Sequence, residues 1–337
     1  MMPEMNQVFT WLLFLLLPLR LSFAGTFSLE EKPFLTISGP DSRLDRPEGI
    51  AFTPDGRYVA VACFWGDSIN FYEIGESESP IFVLKGTKTH LYHPHDLAFS
   101  PDGNYLFVAN RRSGMLTIYQ RHADGISFEP SPVKRVRESS FNGVGAVTFS
   151  PTENLLALAD TYCNRILIYE FDETHLVEAP RSILTAPQIS VADGLGFSPD
   201  GRLLAVTSHD NHKALFFERT PEGEALFDPT PIKILEDEEI PLKHPHSIAF
   251  HPKSEDFIIT CAGGNRHINC YERGQSCPHQ WLEVLDSDIV ARIERINPVE
   301  GGAKGVAFSP DGTIVAVCSP GFIAVDSIQF FRVIEKD

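Results

Sequence analysis

Six phenylalanines, each ending a short apolar strand and followed two residues later by proline, recur at nearly constant spacing and limit the chain to a repeat architecture. The fullest form of the pattern is Ala98-Phe99-Ser100-Pro101-Asp102-Gly103, and the phenylalanines are Phe52, Phe99, Phe149, Phe197, Phe250 and Phe308. The prolines fall at 54, 101, 151, 199, 252 and 310, so the steps are 47, 50, 48, 53 and 58 residues. A period of this length accommodates four short strands, which is one propeller blade.

The first unit shows how each blade is written. Ile50-Ala51-Phe52 reads as an inner strand, and Thr53-Pro54-Asp55-Gly56 has proline and glycine where a type I turn wants them. Tyr58 to Ala62, Ser68 to Ile74 and Ile81 to Lys85 supply three further strands. Outer strands of later units are expected near Val133–Val136, Arg181–Leu184, Ile232–Leu235 and Trp281–Val284. The stretch from Gly274 to Gly302 could hold a short helix.

The sixth unit runs out after three strands, and Phe34 to Ser38 is a strand with no earlier partner. Pairing it with the last blade closes the ring and hides an open sheet edge. The expected fold is therefore all-β: six four-stranded antiparallel blades, closed by the N-terminal strand, in one domain spanning 25–337.

The residues before it read as a leader. An apolar run from Val8 to Leu19 ends at Pro18 and Arg20, and Ser22-Phe23-Ala24 offers small residues to a signal peptidase. Cleavage after residue 24 would leave no integral membrane segment and place the protein outside the cytoplasm, in a periplasm or secreted. The net charge of −17, from 45 acidic and 28 basic residues, argues against nucleic acid as a partner. Of six cysteines, Cys63, Cys261 and Cys318 end apolar strands and read as buried, while Cys270 and Cys277 are close enough in sequence to bridge.

Ala159-Asp160-Thr161-Tyr162-Cys163-Asn164-Arg165-Ile166 resembles an NHL repeat, and the His-Pro-His…Phe-Ser-Pro-Asp-Gly units resemble those of YVTN-type and lactonase-type propellers. NHL-like and YVTN-like propellers mostly bind partners, whereas gluconolactonase-like propellers hydrolyse sugar lactones with an axial divalent metal. Glu48-Gly49 and Asp193-Gly194 match the places where the latter family sets an acidic ligand before glycine. The resemblance thus implies Glu48 and Asp193 as ligands of a divalent cation, calcium or similar. The family's asparagine ligands are not matched.

Aligning the units on their phenylalanines places Glu48, His95, Gly145, Asp193, His246 and Lys304 around one channel mouth. In a six-fold ring Glu48 faces Asp193, His95 faces His246, and Gly145 faces Lys304. Glu48, His95, Asp193, His246 and Lys304 are the candidate ligand-binding residues, and His95 and His246 the candidate catalytic ones. Removing both carboxylates is expected to leave the fold nearly intact.

Other polar groups read as structural. His93 and His244 cap the loops before inner strands, and His209-Asp210-Asn211-His212 is a surface turn. Phe64-Trp65 and Arg111-Arg112 lie on neighbouring loops and could form an aromatic–cationic contact patch. The preferred function is an exported, non-catalytic binding module, expected to be a monomer, that takes a protein or small-molecule ligand on its loop face. The alternative is a metal-dependent, lactonase-like hydrolase.

Overall fold

A computed structural model of the protein describes residues 27–172, 179–221, 225–236, 242–263, 267–275, 278–284, 300–321 and 325–335. The residues read as a leader, Cys277 and most of the stretch that could hold a short helix lie outside them. The described residues form a six-bladed β-propeller of antiparallel blades, five of them four-stranded and the sixth with two short N-terminal strands sharing its outer edge.

The first blade runs from its inner strand Pro47–Phe52 through Tyr58–Cys63 and Ser68–Glu73 to the outer Phe82–Lys85. The next four inner strands are Pro94–Phe99, Val144–Phe149, Ala192–Phe197 and Pro245–Phe250. Outer strands form at Lys134–Val136, Ser182–Thr185, Lys233–Leu235 and Gln280–Glu283, close to where the sequence puts them. Between blades, second strands such as Leu155–Asp160 are buried along their whole length. Their alternating faces pack against both neighbouring sheets, which is why they read as continuous apolar runs.

The ring closes as expected. Leu35–Ser38 pairs antiparallel with the start of the long last strand Ser327–Glu335, from Ser38 opposite Ser327 to Leu35 opposite Phe330. A second N-terminal strand, Phe27–Leu29, pairs with Val333–Glu335 of the same strand. The backbone of Leu29 also exchanges two hydrogen bonds with the Gln280 amide, at 2.8 and 2.9 Å. The N-terminal segment therefore completes the sixth blade and ties it to the fifth.

Each inner strand carries an irregularity near its start. Pairing with the second strand skips a residue between Val144 and Ala146, Ala192 and Gly194, Pro245 and Ser247, and Pro94 and Asp96, and skips further between Pro47 and Ile50. In the sixth blade Lys304 N donates to Cys318 O at 2.9 Å and Cys318 N to Gly305 O at 3.0 Å, with no ladder there. Such a bulge redirects the unpaired residue. The residues redirected are the ones that the alignment placed at the channel mouth.

Buried Cys63, Cys261 and Cys318 have the packing expected of them, and Cys270 is a buried free thiol. No helix among the described residues is long and apolar enough to cross a membrane.

Candidate functional site

The bulges bring five charged or imidazole side chains together at one end of the channel. Glu48, His95, Asp193, His246 and Lys304 are each at most 3% exposed. The His95 and His246 rings meet across the axis with centroids 4.9 Å apart. Glu48 Oε2 lies 3.1 Å from His246 Nε2, 3.4 Å from Lys304 Nζ and 3.9 Å from His95 Nε2. Asp193 lies 3.8 Å from each imidazole.

Gly145, the sixth position, contributes its carbonyl, which stands 2.7 Å from His95 Nδ1. Arg111 Nη1 approaches His95 Nε2 at 2.6 Å and can only donate. These contacts fix the neutral tautomer, with Nδ1–H donating to Gly145 and Nε2 accepting from Arg111. Burial first, and then Arg111, push the His95 imidazole down to about 3.

Arg111 also donates to Asp193 Oδ1 at 2.7 Å. Burial alone would raise both acidic groups, yet Arg111 holds Asp193, and Lys304 with His246 holds Glu48, well below the usual carboxylate range. Arg46 Nε donates to Glu48 Oε1 at 2.6 Å. Arg46 and Lys304 converge on Glu300 at 3.0 and 2.5 Å. Three carboxylates and three cations thus compensate one another with both histidines neutral.

Arg46 and Glu300 were not among the sequence candidates, and Arg111 was placed in a loop contact patch and not in the ring. Arg111 follows directly on a second strand, so its long side chain starts on a loop and turns inward over the ring. The aromatic–cationic patch does form, but with different partners. The Arg46 guanidinium covers Phe64 at 4.8 Å and Trp65 at 5.0 Å, while Arg111 covers Tyr162 at 5.2 Å.

Above the ring lies a cavity of ≈ 500 Å³ whose lining includes Arg46, Glu48, Trp65, Arg111, Tyr162 and Lys304. Trp65 and Tyr162 stand at its lip, 54% and 51% exposed. His93 packs against Phe64 with centroids 4.3 Å apart and the rings tilted by 36°.

The glycines after Glu48 and Asp193 have a packing reason. A Cβ on Gly49 would stand 2.7 Å from the His95 carbonyl oxygen and 2.7 Å from Asp96 Cα, and one on Gly194 would collide with the His246 carbonyl oxygen. The acid-before-glycine pattern therefore reflects the close approach of adjacent inner strands, independently of any ion.

Glu48, His95 and His246 each offer an atom that a metal ion could take. Glu48 Oε2 and both ring nitrogens of His246 are buried without a well-formed hydrogen bond, which favours such a role. Against it, Arg111 occupies His95 Nε2 and Asp193 Oδ1, and Lys304 stands at Glu48. A divalent ion would add two charges where cations already balance the acids, so the ring as arranged does not fit one. Removing Glu48 and Asp193 together would leave Arg111 without its carboxylate and Glu300 as the one remaining acid for Arg46 and Lys304, contrary to the expectation that the fold would hardly notice.

A family model described as lactonase, 7-bladed beta-propeller, matches residues 28–131. Over its first two blades the chain is similar to that family. The match takes in Glu48, His95 and Arg111 and ends before Asp193, His246 and Lys304. It covers less than a third of the chain, and the ring here has six blades. No curated protein matches the chain.

Proposed function

We propose that the protein is an exported binding module, working as a monomer, that takes a small polar ligand into the cavity above the axial ring. One observation carries this reading: the cavity joins an aromatic lip, Trp65 and Tyr162, to a floor of paired charges. Pockets that orient small ligands combine apolar walls with a few convergent polar groups. The aromatic faces suit a flat or cyclic ligand, and Arg46, Arg111 and Lys304 suit one bearing anionic or carbonyl oxygens. Export rests on the apolar leader alone.

The test is a calorimetric screen of sugars, sugar acids, lactones and amino acids against the wild type and against Trp65→Ala with Tyr162→Ala. The expected result is a binder whose affinity falls at least about 30-fold in the double variant, or roughly 2 kcal/mol, as for two hot-spot aromatics. A binder that ignores the double variant binds elsewhere, and a blank screen counts against the reading.

A second reading, lactone hydrolysis, is favoured by the family match and by His246. That imidazole is kept neutral by burial and Lys304, and its nitrogens have no well-formed hydrogen bond. As a general base it would take a proton from water while Lys304 or Arg111 faced the developing oxyanion. Turnover of any lactone that disappears in His246→Ala, while ligand affinity persists, would put this reading first. Turnover abolished by a chelator would restore the metal-dependent form.

A further inference from the structure

The turn His209-Asp210-Asn211-His212 does not stand alone. The lead-in to the fifth blade folds over it and sets His244 against it. The His244 and His209 rings have centroids 4.4 Å apart, and His244 and His212 are equally close. His209 Nδ1 faces two atoms at once, Asp210 Oδ1 at 2.8 Å and His244 Nδ1 at 3.3 Å. A single hydrogen on that nitrogen would have to serve both neighbours. The two segments are 35 residues apart, so sequence spacing gives no hint of the group.

We propose that His209, Asp210 and His244 form a binding site for a zinc-type divalent ion. Two ligands on one ion with bonds of about 2.0–2.1 Å stand roughly 2.8–3.4 Å apart, which both measured separations match. Imidazole with one carboxylate selects zinc, cobalt, nickel or copper over calcium and magnesium. His209 is buried and Asp210 exposed, so the ion has a fixed inner ligand and an open outer side for water.

His212 supports the site from behind. Its Nδ1 accepts the His244 backbone N–H at 3.1 Å, holding the lead-in against the turn. The contrast with the axial ring is electrostatic. There every acid has a cation beside it, whereas the proposed ligands here are two imidazoles and one carboxylate. An ion at this place ties the fourth blade to the fifth, the two blades that supply Asp193 and His246 to the ring.

Cobalt(II) titration of the chelator-treated full chain tests the proposal, because its visible bands report four-coordinate nitrogen and oxygen ligation. One equivalent should bind, zinc should displace it, and zinc should raise the melting midpoint. His209→Ala with His244→Ala should abolish the bands, and Glu48→Gln should keep them. The exposed Asp210→Asn, which cannot disturb the core, should weaken binding by at least the ~10–100-fold that even outer partners of a metal command. X-ray absorption of the zinc-loaded wild type should show two imidazoles and needs no variant at all. The absence of stoichiometric cobalt, bands that survive the double variant, or bands lost only in Glu48→Gln would each overturn it.

Discussion

The two ends of the channel are built from the same six repeats and have opposite characters. At one end lie the turns after the inner strands, where Thr53, Ser100, Ser198 and Ser309 each donate to the aspartate two residues on, at 2.5–2.7 Å. Those aspartates accept the backbone N–H of Arg57, Asn104, Arg202 and Thr313 at 3.0–3.1 Å. At the other end the equivalent positions are Glu48, His95, Gly145, Asp193, His246 and Lys304. A turn closed by side-chain hydrogen bonds to its own backbone has the same requirement wherever it is used, so its residues repeat in four of the six blades. A bulge dictates only where a side chain points, so its residue is free to differ. The repeated end maintains the fold, and the varied end is where chemistry can reside.

The sharpest way to break this comparison is to unpair a charge at the varied end. Asp193→Ala should cost up to about 3–5 kcal/mol in urea unfolding, because Arg111, partly buried beside the cavity, is left without its carboxylate. Arg111→Met in the same chain should recover much of the loss. A cost below about 1 kcal/mol would mean that the ring is not held by this pair.

Gly194→Ala comes next. The new Cβ would meet the backbone of His246 and Ser247, which cannot swing away, so a loss of about 1–3 kcal/mol is expected. An unchanged melting temperature would show that the inner strands can move apart.

Acid comes third. The His95 imidazole is depressed from 6.5 to about 3, so its contribution is complete above 6.5 and is lost as pH falls through the window below it. The slope is at most ~1.4 kcal/mol per pH unit. Asp96 has the opposite sign: burial pushes its carboxyl from 3.8 up to about 7, so its contribution is complete below 3.8 and is lost as pH rises. His95→Asn should therefore flatten the acid limb of a stability–pH curve, and Asp96→Asn should steepen it. Parallel curves for the two variants would contradict the assigned environments.

The smallest effect belongs to the repeated end. Asp102→Ala removes one turn aspartate and should cost about 0.5–1.5 kcal/mol while leaving ligand affinity unchanged. A turn variant that abolished ligand binding would erase the distinction between the two ends.

Much of this molecule was legible in its residues. The Phe-x-Pro period gave the number of blades, the alternating apolar strands gave their sheets, and the orphan strand at Leu35 gave the closure. Alignment on the phenylalanines also located the ring, because each repeat delivers its bulge at the same offset. Phe27–Leu29 was missed because three residues carry no period. Arg111 read as part of a surface patch because nothing in a sequence says which way a long side chain on a loop will turn.

What the sequence determined by itself is everything that recurs: a local pattern repeated six times folds the same way six times. What only the tertiary structure decided is which charges meet. Arg111 with Asp193 and His209 with His244 join residues 82 and 35 positions apart. Such pairs form where closing the ring crowds six inner strands and their loops onto one axis, and that crowding is a property of the closed ring that no single repeat contains.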